Sequence, residues 1–182
     1  MAHRLRLGSK AGRVVVVLAA TVYVAGLATA PPGQTFGGSC NGRLSTVGLD
    51  ASHERGPVII HGTDGDDVII GSRGDDIIHG NGGDDLICGG AGADDISGGD
   101  GRDSIFGERG DDTLRGDDGD DFISGGSGND DISGGFGENL LYGDRGDDIL
   151  DGSQGIGGKL NGGRGRNLCF VGAAQEVDDC RF

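Results

Sequence analysis

The stretch from Gly62 to Asp151 divides into ten nine-residue units without an insertion or deletion, and a typical unit is Gly125-Gly126-Ser127-Gly128-Asn129-Asp130-Asp131-Ile132-Ser133. The consensus is G-x-x-G-x-D-x-U-x, where U is aliphatic. Glycine fills positions one and four in all ten units, and Ile or Leu fills position eight in all ten. Conserved columns at a fixed short period indicate that the chain is a solenoid built from stacked repeats.

The composition excludes a conventional globular core. The 182 residues include 42 Gly, no Trp, one Met and six Phe, so little large apolar side-chain volume is available. The formal net charge of −15 disfavours binding to nucleic acid or to an anionic membrane, because both require clustered Lys and Arg. We therefore expect cationic partners.

The repeat predicts an all-β fold made of parallel strands. In each unit the first six residues have turn composition and the last three can form only a very short strand. Two units make one coil of about 18 residues, with odd and even units on opposite sheets, and short caps close the two ends. The position-eight residues then form two interior ladders: Ile69, Ile87, Ile105, Ile123 and Leu141 in one, and Ile78, Ile96, Leu114, Ile132 and Leu150 in the other.

The turns carry the groups that a hard cation requires. Glycine at positions one and four allows tight or left-handed backbone that turns carbonyl oxygens toward a common point, and the position-six carboxylate completes an oxygen-rich cage suited to Ca²⁺. Five turns on each edge leave four gaps, which predicts about eight ions. The candidate ligands are Asp67, Asp76, Asp85, Asp94, Asp103, Asp112, Asp121, Asp130, Asn139 and Asp148, and a site that uses Asn139 should be weaker because a charge is missing.

Position five is also often acidic, but we expect these side chains to be solvent-exposed because Ala93 and Arg102 occupy the same column. The acidic members are Asp66, Asp75, Asp84, Asp111, Asp120 and Asp147.

The units Gly89-Gly90-Ala91-Gly92-Ala93-Asp94-Asp95-Ile96-Ser97 and 125–133 resemble the repeats-in-toxin, or haemolysin-type, calcium-binding family. The resemblance implies a right-handed parallel β-roll that holds Ca²⁺ between turns and folds outside the cell as calcium rises. The cysteine-bounded layout resembles small secreted calcium-binding proteins of Gram-positive actinobacteria.

The sequence divides into four segments. Residues 1–30 have the layout of an export signal, with basic residues near the start, an apolar run from Val14 to Ala28, and small residues at Ala28 and Ala30. Cleavage near Ala28 or Ala30 and retention as an anchor are both compatible with this layout. Residues 31–56 are predicted to be a linker and N-terminal cap, 57–170 the β-roll with its regular repeats at 62–151, and 171–182 a C-terminal cap.

Four cysteines in an exported chain favour two disulfides, for which three pairings exist. We expect Cys40 to pair with Cys88, because Cys88 lies at an outward position that a folded-back cap can reach. Cys169 and Cys180 bracket a short tail and form the second predicted pair. His61 and His79 both occupy position nine, eighteen residues apart, and should be stacked neighbours about 4.8 Å apart on one outer face.

No catalytic motif accompanies the repeats, since His53-Glu54 does not extend to the H-E-x-x-H of zinc proteases and no G-x-S-x-G or phosphate-binding loop occurs. The sequence therefore favours a non-enzymatic, secreted or cell-surface-associated calcium-binding protein that calcium folds and stabilises. One alternative is an extracellular adhesion module in which calcium is only structural and exposed Phe106, Phe122, Phe136 and Tyr142 contact a surface polymer or protein. Another is an accessory module of a separate enzyme.

Overall fold

The computed structural model describes residues 13–14, 39–40, 43–44, 56–173 and 176–181. Within these ranges the regular secondary structure is entirely β. The strands in chain order are β1 (Arg13–Val14), β2 (Ser39–Cys40), β3 (Arg43–Leu44), β4 (Val58–His61), β5 (Val68–Ile70), β6 (Ile77–Gly82), β7 (Leu86–Ala91), β8 (Asp95–Asp100), β9 (Ser104–Arg109), β10 (Thr113–Asp118), β11 (Phe122–Ser127), β12 (Asp131–Ser133), β13 (Asn139–Arg145), β14 (Ile149–Ile156), β15 (Gly158–Asn161), β16 (Leu168–Ala173) and β17 (Glu176–Asp178).

The strands form a parallel β-roll of about seven coils. Even-numbered strands from β4 to β16 stack in one sheet, which β1 extends to eight strands, and odd-numbered strands from β5 to β17 stack in a seven-stranded sheet. Regular repeats pair in register eighteen residues apart, as Ile105 does with Ile87 and Ile123. This arrangement confirms the predicted parallel roll and its coil length.

Most strands are longer than the three residues predicted from sequence. A typical strand such as β9 covers positions seven to nine of one unit and continues through positions one to three of the next. Pairing is lost at the position-one glycine and resumes at positions two and three, where Glu108 and Arg109 face Gly126 and Ser127. The glycine-rich turn sequence therefore contributes half of the strand, because its backbone still pairs between coils.

Both predicted interior ladders are confirmed, and all ten position-eight residues are fully buried. The ladders also extend beyond the regular repeats. Ile60 adds to one end, while Leu160 and Cys169 continue the two ladders at the other, with Val177 packed against them. The ten-residue unit at 152–161 causes a register irregularity between Gly152 and Ile156 but does not break the stack.

The N-terminal lead-in contacts the outer face of the seven-stranded sheet. β2 pairs with β3 as a short antiparallel hairpin, and β2 lies against β5 and β7. At that place Val68, Leu86 and Cys88 are buried on the outer face of the sheet. Cys88 is disulfide-bonded, whereas the side chain of its predicted partner Cys40 lies outside the described part of the chain.

The proposed export segment is also largely outside the described residues. Only β1, paired with β4, falls within residues 1–30. Across the described ranges, we find no helix with the length and apolar character to cross a membrane.

The C-terminal tail completes the last coil. Cys169 occupies an interior position eight and forms a disulfide with Cys180, one of the two predicted pairs. The segment predicted as a C-terminal cap also contributes β17, which pairs with β15 through Val177 and Leu160. The tail is therefore an additional strand of the roll as well as its cover.

Candidate metal centre

The position-six side chains form a buried row along each edge of the roll. All ten predicted ligands are at most 3% exposed. In eight of the ten, from Asp85 to Asp148, Oδ1 of the side chain accepts a hydrogen bond from the backbone N–H of the position-six residue one coil earlier. Asp103 Oδ1 accepts from Asp85 at 2.9 Å, and Asp112 Oδ1 accepts from Asp94 at 2.9 Å. Each carboxylate therefore joins two successive coils.

The second carboxylate oxygen has no partner in most of these turns. Oδ2 is buried without a hydrogen bond in seven aspartates: Asp85, Asp94, Asp103, Asp112, Asp121, Asp130 and Asp148. A buried, unpaired carboxylate oxygen is costly unless a cation or a proton binds it. These seven oxygens are therefore the atoms to which a cation would bind.

Position-one glycine leaves the space around this oxygen. A Cβ placed on Gly98 would collide with Asp103 Oδ2 and would lie 3.0 Å from the carbonyl oxygen of Gly116 in the next coil. Glycine at positions one and four is expected to allow tight or left-handed backbone, but no position-one glycine from Gly62 to Gly143 has positive φ. Glycine is needed at position one because any side chain would fill the space between the carboxylate and the neighbouring carbonyl.

Left-handed backbone occurs at position four, as expected, and also at position two, in both cases from the third unit onward. Gly110 has φ of 127°, and position two includes Asn81, Glu108, Asp117 and Asp144 with φ between 68° and 81°. The position-two column is too variable for the sequence to have indicated this conformation.

The first two turns differ because position two holds Thr63 and Ser72, neither of which has positive φ. The N–H of Thr63 donates to Asp67 Oδ2 and that of Ser72 to Asp76 Oδ2, both at 2.6 Å. The β-branch of Thr63 disfavours the left-handed region. Thus Asp67 and Asp76, which the consensus does not distinguish from the other ligands, have Oδ2 already hydrogen-bonded.

Asn139 shows a third arrangement. Its Oδ1 accepts from the N–H of Asp121 at 2.8 Å, as an aspartate would, while its Nδ2 donates weakly to the carbonyl oxygens of Gly135 and Phe136 at 3.5 and 3.4 Å. Asn167, in the same column at the end of the roll, repeats this pattern toward Asp148 and Asp179. In these turns an amide donor takes the place of the unpaired oxygen.

The electrostatics of the row favour a bound cation. Burial raises the pKa of Asp85, Asp94, Asp121 and Asp130 to about 7 and that of Asp112 and Asp148 to about 6. Burial also raises the pKa of Asp103. The hydrogen bond from the preceding coil opposes this rise in every case, and neighbouring carboxylates add to it. Without a cation these seven carboxyl groups therefore hold their protons to a higher pH than an ordinary aspartate does.

The position-five residues are exposed, as predicted, but they also have a structural role that sequence reasoning missed. Oδ1 of Asp84 accepts from the N–H of Arg102 in the next coil at 2.9 Å, and Asp111 accepts from Asn129 at 2.7 Å. Positions five and six therefore hydrogen-bond in opposite directions along the roll. The sequence does contain a signal for this role, because the acids and Asn129 in this column all offer an oxygen acceptor.

The donor set fits Ca²⁺ rather than a transition metal. Among the residues that the structure describes, no three side chains of His, Cys, Asp or Glu converge on one point. The space beside most of these Oδ2 atoms is also bordered by a backbone carbonyl oxygen of the next coil, such as that of Gly116. Hard oxygen donors with adaptable geometry suit Ca²⁺. The seven aspartates with unpaired Oδ2, together with these carbonyls, would hold the ions.

Comparison with known families agrees with this geometry. The model of the RTX calcium-binding nonapeptide repeat matches four times, at residues 61–96, 89–123, 97–132 and 124–157, which together cover more than half of the chain. The chain belongs to the RTX calcium-binding nonapeptide repeat family. A search of the curated proteins found no match. Membership of the RTX family makes this roll a calcium-binding repeat structure, and the unpaired oxygens indicate which turns contribute a carboxylate.

The histidines and aromatic residues predicted to lie on the outer faces agree only in part with the prediction. His61 and His79 stack with ring centroids 5.0 Å apart, which confirms their predicted proximity. The aromatic residues predicted to be exposed are not all so. Phe136 is 60% exposed, but Phe106, Phe122 and Tyr142 are half-buried because their rings pack on one another at 5.4–5.5 Å.

Proposed function

We propose that this RTX protein is a secreted, non-catalytic calcium-binding protein whose roll is unstable without calcium and folds when calcium is bound. The observation that carries the proposal is the set of seven buried Oδ2 atoms without a partner. Calcium supplies positive charge to these oxygens and removes the penalty of burying them ionised. We expect about seven ions, compared with about eight from counting gaps between turns.

Calcium-driven folding is tested by circular dichroism of the chain with calcium, with excess chelator, and with magnesium at the same concentration. The expected result is a strand spectrum in calcium that chelator abolishes, and a smaller response to magnesium, which requires stricter octahedral geometry. A strand spectrum that chelation leaves unchanged contradicts the proposal. The matched variants are Asp103→Asn, at an unpaired Oδ2, and Asp84→Asn, at an exposed position-five acid. Only Asp103→Asn should lower the number of ions bound.

Export is supported by the basic and apolar layout of residues 1–30 and by the disulfide between Cys169 and Cys180. Disulfides persist in oxidising compartments, and extracellular calcium is high enough to fill weak sites. The test is expression of the full chain with a C-terminal tag, followed by mass measurement of the product in the medium and on the cell surface. A product that stays inside the cell with reduced cysteines argues against secretion.

A further inference from the structure

The two edges of the roll differ in the charge at position three of the turn. On the edge formed by even-numbered units and by the later unit at 162–170, this position holds four exposed arginines, with Ala91 and Ser127 between the first three. We call these four the arginine row: Arg73, Arg109, Arg145 and Arg164. The same position on the opposite edge holds Asp64, Asp100 and Asp118 and has no basic residue in the repeats. A chain with a net charge of −15 thus places four of its fifteen basic side chains in line on one edge.

The arginine row is not used for internal ion pairs. The described residues form salt bridges between Arg115 and Asp95 and between Lys159 and Asp178, on the outer faces of the sheets, and no salt bridge involves the row. Glu108 interacts electrostatically with its neighbour Arg109 without forming a salt bridge. Guanidinium groups that form no salt bridge remain free to bind an external anion.

The sheet register sets the spacing of the row. Arg109 and Arg145 both pair with Ser127, so they lie two strands apart, at about 9.5 Å. The backbone of Arg145 forms a β-bridge with that of Arg164, one strand away at about 4.8 Å. The row therefore presents charges along a straight line parallel to the roll axis, which suits an extended polymer better than a compact anion.

A groove of about 610 Å³ lies at the C-terminal end of the row. Its lining includes Arg145, Arg164, Tyr142 and Asn161 together with two carboxylates, Asp144 and Asp179. Tyr142 continues the stack of Phe106 and Phe122 on the adjoining sheet face. Cations, carboxylates and an aromatic ring therefore share one open surface.

We infer that the arginine row and this groove bind a linear polysaccharide whose sugars carry carboxylates. The sugar carboxylates pair with Arg145 and Arg164, the hydroxyl groups donate to Asp144 and Asp179, and an apolar sugar face packs on Tyr142. A densely charged phosphate polymer fits less well, since its charges would meet the carboxylates of Asp144, Asp179 and Glu108. This binding surface is separate from the buried calcium row and requires only that the roll be folded.

The test uses the full chain at saturating calcium, with its fold checked by circular dichroism in the same sample. The probe is a fluorescent oligouronate too short to gel with calcium, and binding is followed by anisotropy at low and moderate salt. We expect saturable binding that weakens with salt and no saturation by a neutral oligosaccharide of equal length. If the chain folds with calcium but does not bind the oligouronate, this inference is refuted and the proposed function is unaffected.

Matched variants distinguish binding by the arginine row from a general effect of the protein's net charge. Arg145→Gln combined with Arg164→Gln should weaken binding by at least about tenfold, the loss expected for charge-assisted pairs. Arg102→Gln makes the same type of change on the opposite edge and should alter affinity by less than about twofold, because screened distant charges contribute little. Arg145→Lys keeps the charge and should retain part of the affinity. If Arg102→Gln lowered the oligouronate affinity as much per removed charge as the double variant does, the assignment would be overturned. Tighter binding of inorganic polyphosphate than of the oligouronate would also overturn it.

Discussion

Asp121 donates its backbone N–H to Oδ1 of Asn139 at 2.8 Å, the same contact that Asp103 makes with Asp121 at 2.9 Å. The hydrogen bond between coils is therefore kept when aspartate becomes asparagine. What changes is the second atom of the side chain, because Nδ2 of Asn139 is a donor where Oδ2 of Asp121 is an unpaired acceptor. Structural pairing and cation binding thus reside on different atoms of one side chain.

Asn139→Asp should convert a metal-independent turn into a calcium-dependent one. The new Oδ2 would be buried without a partner, so the metal-free protein should lose about 1–3 kcal/mol of stability. At saturating calcium one more ion should bind. Equilibrium titration measures the calcium stoichiometry, and the calcium concentration that gives half-maximal strand signal in circular dichroism measures the loss of metal-free stability.

The control for this change is Asn129→Asp, which makes the same substitution at an exposed position-five acceptor for the N–H of Asp147. Its effect on both measurements should be small. An unchanged ion count in Asn139→Asp would show that the carboxylate at this position does not create a site.

The metal-free protein should be more stable in mild acid than at neutral pH. Burial raises the pKa of Asp85 and Asp94 to about 7, far above the ordinary carboxyl value of about 4, so the folded state binds more protons than the unfolded chain between these values. Stability in chelator should therefore fall as pH rises from about 4 to 7.

Calcium affinity should show the opposite trend, weakening as pH falls below about 7, because protons compete for the same oxygens. Strand signal in chelator and calcium affinity, both measured across this range, test the two slopes. A metal-free fold that gains stability with rising pH would contradict the assigned environment of the carboxylates.

Gly98→Ala should impair both folding and calcium binding. The added methyl group would collide with Asp103 Oδ2 and crowd the carbonyl oxygen of Gly116, at a cost of about 1–3 kcal/mol. Gly82→Ala is the control, because a Cβ there meets its nearest atoms at 3.8–3.9 Å and its φ is not positive. Chemical unfolding in calcium compares the two, and equal destabilisation would show that space beside the carboxylate is not what position one requires.

Removing the disulfide between Cys169 and Cys180 should open the last coil without unfolding the centre. In a Cys169→Ala and Cys180→Ala double variant, we expect a loss of about 2–3 kcal/mol. β17 and the contact of Arg181 with Asn167 should lose protection first, since the bridge holds this tail on the end of the core. Hydrogen exchange at saturating calcium measures this, and uniform loss of protection through β9 and β11 would show that the roll unfolds as one unit.

Much of the fold follows from the nine-residue period. A column of Ile and Leu every nine residues can be buried continuously only if successive units alternate between two parallel sheets, so the ladders and the rows of Asp67 to Asp148 could be predicted. The length of the strands could not, because pairing through positions two and three depends on backbone hydrogen bonds between coils and not on side-chain pattern.

The differences among the ten ligands arise only in three dimensions. Asp67 and Asp85 match the same consensus, yet Thr63 keeps its turn out of the left-handed region and hydrogen-bonds Asp67, whereas Asp85 Oδ2 stays unpaired. The packing of Phe106 on Phe122 and the line of Arg109, Arg145 and Arg164 likewise depend on register between coils. The period specifies which residues share an edge. The contacts between coils, eighteen residues apart, determine which side chains on that edge are hydrogen-bonded within the protein and which remain able to bind a ligand.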